Sequence, residues 1–100
     1  MDTPQKTARA TTHENAEYFA DFVRTRSGVR AFYEERTAHD APAVLLVAHD
    51  GEWTRRTVAD FPQAQKVAQR LEISLSKVAA DGYPREMREW NIRNAAQRRR

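Results

Sequence analysis

The chain contains no cysteine, which excludes disulfides, thiolate nucleophiles and cysteine-bound zinc in one step. Its three glycines, Gly28, Gly51 and Gly82, are too scattered for a GxGxxG or GxxxxGK[ST] phosphate loop. No serine has the flanking glycines of a nucleophile elbow. Long apolar runs are missing too: the longest, residues 41–48, falls far short of the roughly 20 residues that span a bilayer. The opening MDTPQKTARATTHENAE has no apolar signal segment. These absences set the expectation of a protein with no membrane partner, cytoplasmic in location.

Lysine is scarce as well. Of 17 basic residues only Lys6, Lys66 and Lys77 are lysines, and 14 acidic residues leave a net charge of +3. So mild a field does not by itself name a polyanion as partner. The planar guanidinium, however, suits phosphate and carboxylate better than an ammonium does. A length of 100 residues bounds the chain to one domain, near the small end of what buries its own core.

Residues 1–12 are polar and predict a mobile segment, residues 13–97 the domain proper, and residues 98–100 a basic tail. Thr11 and Glu14 are spaced as a capping box, opening a helix to about Thr25 with Tyr18, Phe19, Phe22 and Val23 inward and Gly28 as its left-handed cap. Residues 29–36 read as a strand and residues 43–49 as a buried strand. Asp50-Gly51 follows at once and signals a type I′ hairpin into a partner strand at 53–58. Asp60, Pro62 and Gln63 mark a second helix start, with Ala64, Val67, Ala68 and Leu71 on its packed face. A last helix begins at Pro84, with Met87, Trp90 and Asn91 inward and Arg85 and Arg88 outward.

The segment between these helices supports two readings. Val67, Ala68, Leu71, Ile73, Ser74 and Val78 match the aliphatic, small and polar places of a helix-turn-helix, which predicts DNA binding through residues 65–83. Glu72 stands where that motif usually has glycine, and Asp81 falls at a position the second helix would bury, where an unpaired carboxylate costs several kcal/mol. Ile73 and Leu75 also alternate with Ser74 and Ser76, as a half-buried strand requires. The strand reading is preferred. It gives an α+β domain of order α-β-β-β-α-β-α, with helices packed on a mixed sheet of three or four strands.

With that order, the first six elements resemble the core of the restriction-endonuclease and Holliday-junction-resolvase superfamily. In that family a Pro-Asp opens the second strand and a Glu-x-Lys lies on the third, together holding a divalent metal. The matching positions are Pro42-Ala43 and Arg56-Thr57-Val58, so the acids and the lysine are missing. The resemblance implies a nuclease-like fold without nuclease chemistry that retains nucleic-acid binding. The pattern DGEWTRR at 50–56 and GYPREMREWN at 82–91 is similar to small uncharacterised conserved proteins of high-GC bacteria, which implies a single domain.

The tripeptide Ala-His-Asp occurs at 38–40 and 48–50, at opposite ends of the second strand. Eight or nine residues at ~3.3 Å each separate the copies by nearly 30 Å, so both cannot ligate one ion. Glu34 and Glu35 are adjacent and point to opposite faces of a strand, which excludes an acid/base pair there. No catalytic residue, cofactor or metal is predicted. Trp53, Arg55 and Thr57 share one strand face and Thr54 and Arg56 the other. The expectation is a small non-catalytic binding module whose preferred partner is nucleic acid, DNA or RNA. Phosphate contacts are assigned to Arg55, Arg56, Arg85, Arg88, Arg93, Arg98, Arg99 and Arg100. The alternative is a protein-interaction or oligomerisation module with Trp53 or Trp90 as anchor and an edge strand for docking or self-association.

Overall fold

A computed structural model describes residues 10–80 and 82–98, with side chains to residue 95. The expected N-terminal segment lies mostly outside that range, as do Asp81, Arg99 and Arg100. Thr11 starts helix α1, Thr12–Thr25, through the predicted capping box: Thr11 Oγ1 accepts the Glu14 N–H at 3.0 Å and the Glu14 carboxylate accepts the Thr11 N–H at 2.8 Å. Phe19 and Phe22 are buried, but Tyr18 is 49% exposed rather than inward. The helix stops at Arg26, whose backbone is extended, so Gly28 is not its cap. Gly28, at φ 64°, turns the chain into the sheet two residues later.

Three strands follow, β1 at Arg30–Glu34, β2 at Ala43–Val47 and β3 at Trp53–Thr57. Helix α2, Phe61–Leu71, leads to β4, Leu75–Lys77, and then to α3, Arg85–Arg98. The strands form one mixed sheet in the order β3-β2-β1-β4, antiparallel except for the parallel β1–β4 pair. This is the α+β architecture and element order that the periodicities imply. No helix among the described residues is long and apolar enough to cross a membrane.

Why β2 reads as a continuous apolar run follows from its place. It is an inner strand with helices on both faces, and all five of its residues are buried. Val44 and Leu46 pack with Phe19, Phe22, Ala31, Tyr33, Ala64 and Val67 under α1 and α2. Leu45 and Val47 face the other way, onto Met87 of α3, with Phe32, Trp53 and Val78 at the margin.

The β2–β3 connection departs from the predicted two-residue turn. Gly51 N–H donates to the Ala48 carbonyl at 2.9 Å and Ala48 N–H to the Glu52 carbonyl at 2.8 Å, enclosing a three-residue loop, His49-Asp50-Gly51. Only Gly51, at φ 97°, has positive φ in that loop, whereas a type I′ turn needs it at Asp50 as well.

Asp60 caps α2 by accepting the Gln63 N–H at 2.9 Å. Gln63 Oε1 accepts the N–H of Ala59 at 2.9 Å and Nδ2–H of the fully buried Asn15 at 3.3 Å, while its own amide donates to the Ala10 carbonyl at 2.9 Å. One side chain thus joins α2 to the start of α1. The far end of α2 closes with the paired bonds of a Schellman motif, Ile73 N–H to Ala68 and Glu72 N–H to Gln69, with Glu72 left-handed at φ 58°. Glycine is usual at that place because it has no β-carbon to strain. Beyond it the chain is extended, and Leu75–Lys77 pairs with β1. The helix-turn-helix alternative over 65–83 is therefore corrected: its recognition segment is a strand, as the Ile/Ser/Leu/Ser alternation indicates.

Candidate anion-binding groove

The sheet register decides what each predicted arginine can do. Arg55 pairs with Leu45, which turns it toward the α3 face, and Arg56 pairs with Val44, which turns it toward α1 and α2. Arg55 reaches across β2 beside Ala43, the small residue opposite Glu34, and its Nε–H donates to Glu34 Oε1 at 2.8 Å. Tyr83 donates its hydroxyl hydrogen to the other oxygen of Glu34. Burial raises the Glu34 carboxyl, but the hydrogen bonds from Tyr83 and Arg55 outweigh it and hold the group below its ordinary range. On the opposite face the Arg56 guanidinium lies over the Tyr18 ring, 4.3 Å from its centroid. Both hairpin arginines therefore have partners within the fold.

Arg93 is also engaged, donating to the Asp50 carbonyl at 3.0 Å. Arg98 is the last residue of α3, about 20 Å from Arg85 at 1.5 Å per residue. Trp53 and Trp90 are half-buried. The indole N–H of Trp53 donates to Asn91 Oδ1 at 2.7 Å, tying the hairpin to α3.

Arg85 and Arg88 are different. Both are exposed, and both line a groove of about 320 Å³ between the parallel β1–β4 pair and the first turn of α3. Arg30 and Lys77 line it from the sheet side, with half-buried Phe32 between the walls and Tyr83 at the rim. The sheet brings the basic residues together because Arg30 and Phe32 alternate onto one face of β1. Lys77 also borders the groove, but it pairs with Tyr33 at the end of β4, and its ammonium turns with Tyr33 to the α2 face of the sheet, 5.2 Å from the Phe61 ring centroid.

Among the described residues three guanidinium groups, those of Arg30, Arg85 and Arg88, face this groove against one carboxylate, Glu86. The Arg30 guanidinium lies 5.4 Å from the Phe32 ring centroid and 3.7 Å from Glu86. Lys77 has Glu35 at 3.2 Å and Arg85 has Glu89 at 3.5 Å, both outside the groove lining. Among the described residues no carboxylate lies within ion-pair distance of Arg88. The Glu86 carboxyl reports the local field. It is held below the ordinary glutamate range first by its own main-chain N–H and then, against a small cost of burial, by Arg30 and Arg85. Donors that favour a carboxylate there favour other anions.

A wider depression of about 570 Å³ lies between the end of α1 and the β2–β3 loop, lined by Arg26, His49, Asp50 and Glu52 among others. Its principal charges are already matched: Arg26 forks onto Glu52 at 2.6 and 3.1 Å. The second Ala-His-Asp is part of its lining, whereas the first lies in the turn where Thr37 Oγ1 accepts the N–H groups of His39 and Asp40. Among the described residues no three His, Asp or Glu side chains converge as a metal site.

Sequence reasoning singled out Arg85 and Arg88 but not Arg30, Phe32 or Tyr83. The alternation of Arg30 with Phe32 was the signal available; that β4 would lie beside β1 was not. Comparison with protein-family models, curated proteins and solved structures gave no match.

Proposed function

We propose that the protein is a non-catalytic nucleic-acid-binding module that takes phosphates in the groove between β1–β4 and α3. Arg30, Arg85 and Arg88 supply the phosphate contacts. The observation that carries the reading is the convergence of these three side chains, with one acid among the described residues there, at the first turn of a helix. Arg55 and Arg56 leave the expected interface, since each is committed to an intramolecular partner. Docking of a protein segment on the outer edges of β3 and β4 is the competing use of the fold.

Titration of labelled nucleic acid at two salt concentrations tests the reading. Binding through three phosphates predicts a log–log salt slope of about −2 on single strands, at about −0.7 per contact. The double substitution Arg85→Ala, Arg88→Ala should lower affinity without changing the unfolding midpoint. Absence of binding at low salt would remove the proposal, and an acidic protein segment would then be the partner to seek.

A further inference from the structure

The groove has an aromatic rim that phosphate binding alone does not explain. Tyr83 lines it and is 38% exposed, among the few large hydrophobic side chains left so open. Its ring is not free to swing, because the hydroxyl is bonded to Glu34, which is in turn bonded to Arg55 on β3. Its backbone is restricted as well, since it precedes Pro84, which disfavours the helical region for the residue before it. The turn leading to it is closed by Gly82 N–H on the Ala79 carbonyl at 3.0 Å. A surface tyrosine tied down through two strands presents its ring face at little further entropic cost on binding.

Resting on the nucleic-acid reading above, we infer that the partner is single-stranded, with Tyr83 as the platform on which one base stacks and Glu34 and Arg55 as the residues that position it. In a duplex the base faces are covered by their neighbours, so only an unpaired strand offers one to a side chain. The volume of about 320 Å³ lies at the low end of the ~300–1,000 Å³ of small-ligand pockets, which suits one nucleotide at a time. Phosphates flanking the stacked base then fall to Arg85 and Arg88 on one side and to Arg30 on the other. The bond to Glu34 and then burial keep the Tyr83 hydroxyl protonated, and so able to donate, at neutral pH.

The test compares three labelled probes of equal length, about ten nucleotides: oligothymidylate, an abasic strand, and a duplex. The full chain should bind oligothymidylate about 5- to 150-fold more tightly than the abasic strand, the range for one base stacked on an aromatic ring. Tyr83→Leu should bring oligothymidylate down to the abasic affinity while leaving abasic binding unchanged, which also reports that the variant is folded. Tyr83→Phe, which keeps the ring and drops the tether, should retain part of the preference. Equal affinity of the full chain for the two strands, or a preference that survives Tyr83→Leu, overturns the stacking role and leaves phosphate binding standing. Tighter binding of the duplex overturns it too. Failure to bind any of the probes at low salt overturns both.

Discussion

Gly51 lies against the main-chain carbonyl of Glu86, so closely that a β-carbon on it would overlap the Glu86 oxygen and come within 2.9 Å of Trp90 Cβ. The hairpin turn is thus the seat on which α3 rests, and the seat needs glycine twice, for φ 97° and for space. Gly51→Ala should destabilise the domain by about 2–4 kcal/mol, combining left-handed strain with overpacking. Urea unfolding measures the loss. Because Trp53 and Trp90 both sit at this contact, their fluorescence should shift before the main transition as α3 lifts. An unfolding midpoint equal to that of the parent protein would show that α3 can relax at no cost.

The hairpin illustrates what the sequence reveals and what it withholds. Asp50-Gly51 located the turn, because a glycine after a buried apolar run has few other uses. The loop type was missed, since the demand that α3 makes on Gly51 comes from a contact about 35 residues away. Glu72 shows the same limit: a left-handed end at a non-glycine residue is set by the two main-chain bonds behind it. The helices and inner strands were legible because period 3.6 and continuous burial are written in residue type. The groove was not, because it depends on β4 pairing with β1, a choice made by packing among helices. Arg55 looked like a free cation for the same reason. Its partner, Glu34, lies two strands away.

Glu34 and Tyr83 titrate from opposite ends of the pH scale. The Glu34 carboxyl is lowered, so the stability it contributes is present above its unfolded pKa and is lost as pH falls through the folded one. The Tyr83 phenol is raised, first by its bond to Glu34 and then by burial, so its contribution is present below its unfolded pKa and lost as pH rises through the folded one. Stability from this cluster should therefore be flat between roughly pH 5 and 9 and fall on either side. Glu34→Gln removes the acid limb, so the gap in urea midpoint between parent and variant should narrow below about pH 4. A gap that stayed constant down to pH 3 would place the acid sensitivity elsewhere.

One arginine, Arg55, and one pair, Arg85 and Arg88, separate binding from folding. Arg55→Ala leaves a half-buried Glu34 with Tyr83 alone and should cost about 1 kcal/mol, allowing for the partial exposure of the pair. Its effect on the salt slope of binding should be negligible, since its charge is already matched. Arg85→Ala with Arg88→Ala should do the reverse, reducing the slope by about 1.4 on single strands with no loss of stability. A slope that responded to Arg55 and ignored Arg85 and Arg88 would return the interface to the hairpin.

Gln63 offers the sharpest test of how α1 is held to α2. Asn15 is fully buried, its Oδ1 has no partner among the described residues, and the one hydrogen bond its side chain makes among them goes to Gln63. Gln63→Ala removes that bond together with the acceptor for the Ala59 N–H. An unmet buried polar group costs about 1–3 kcal/mol, so the variant should lose about 2–3 kcal/mol, more than deletion of an average surface glutamine. Replacing Asn15 as well separates the causes. Asn15→Leu in the Gln63→Ala background should recover part of the loss, because leucine is of similar size and leaves no amide stranded. If the double variant is no more stable than Gln63→Ala alone, the cost lies in the Ala59 and Ala10 contacts at the entry to the two helices, and the buried asparagine is a bystander.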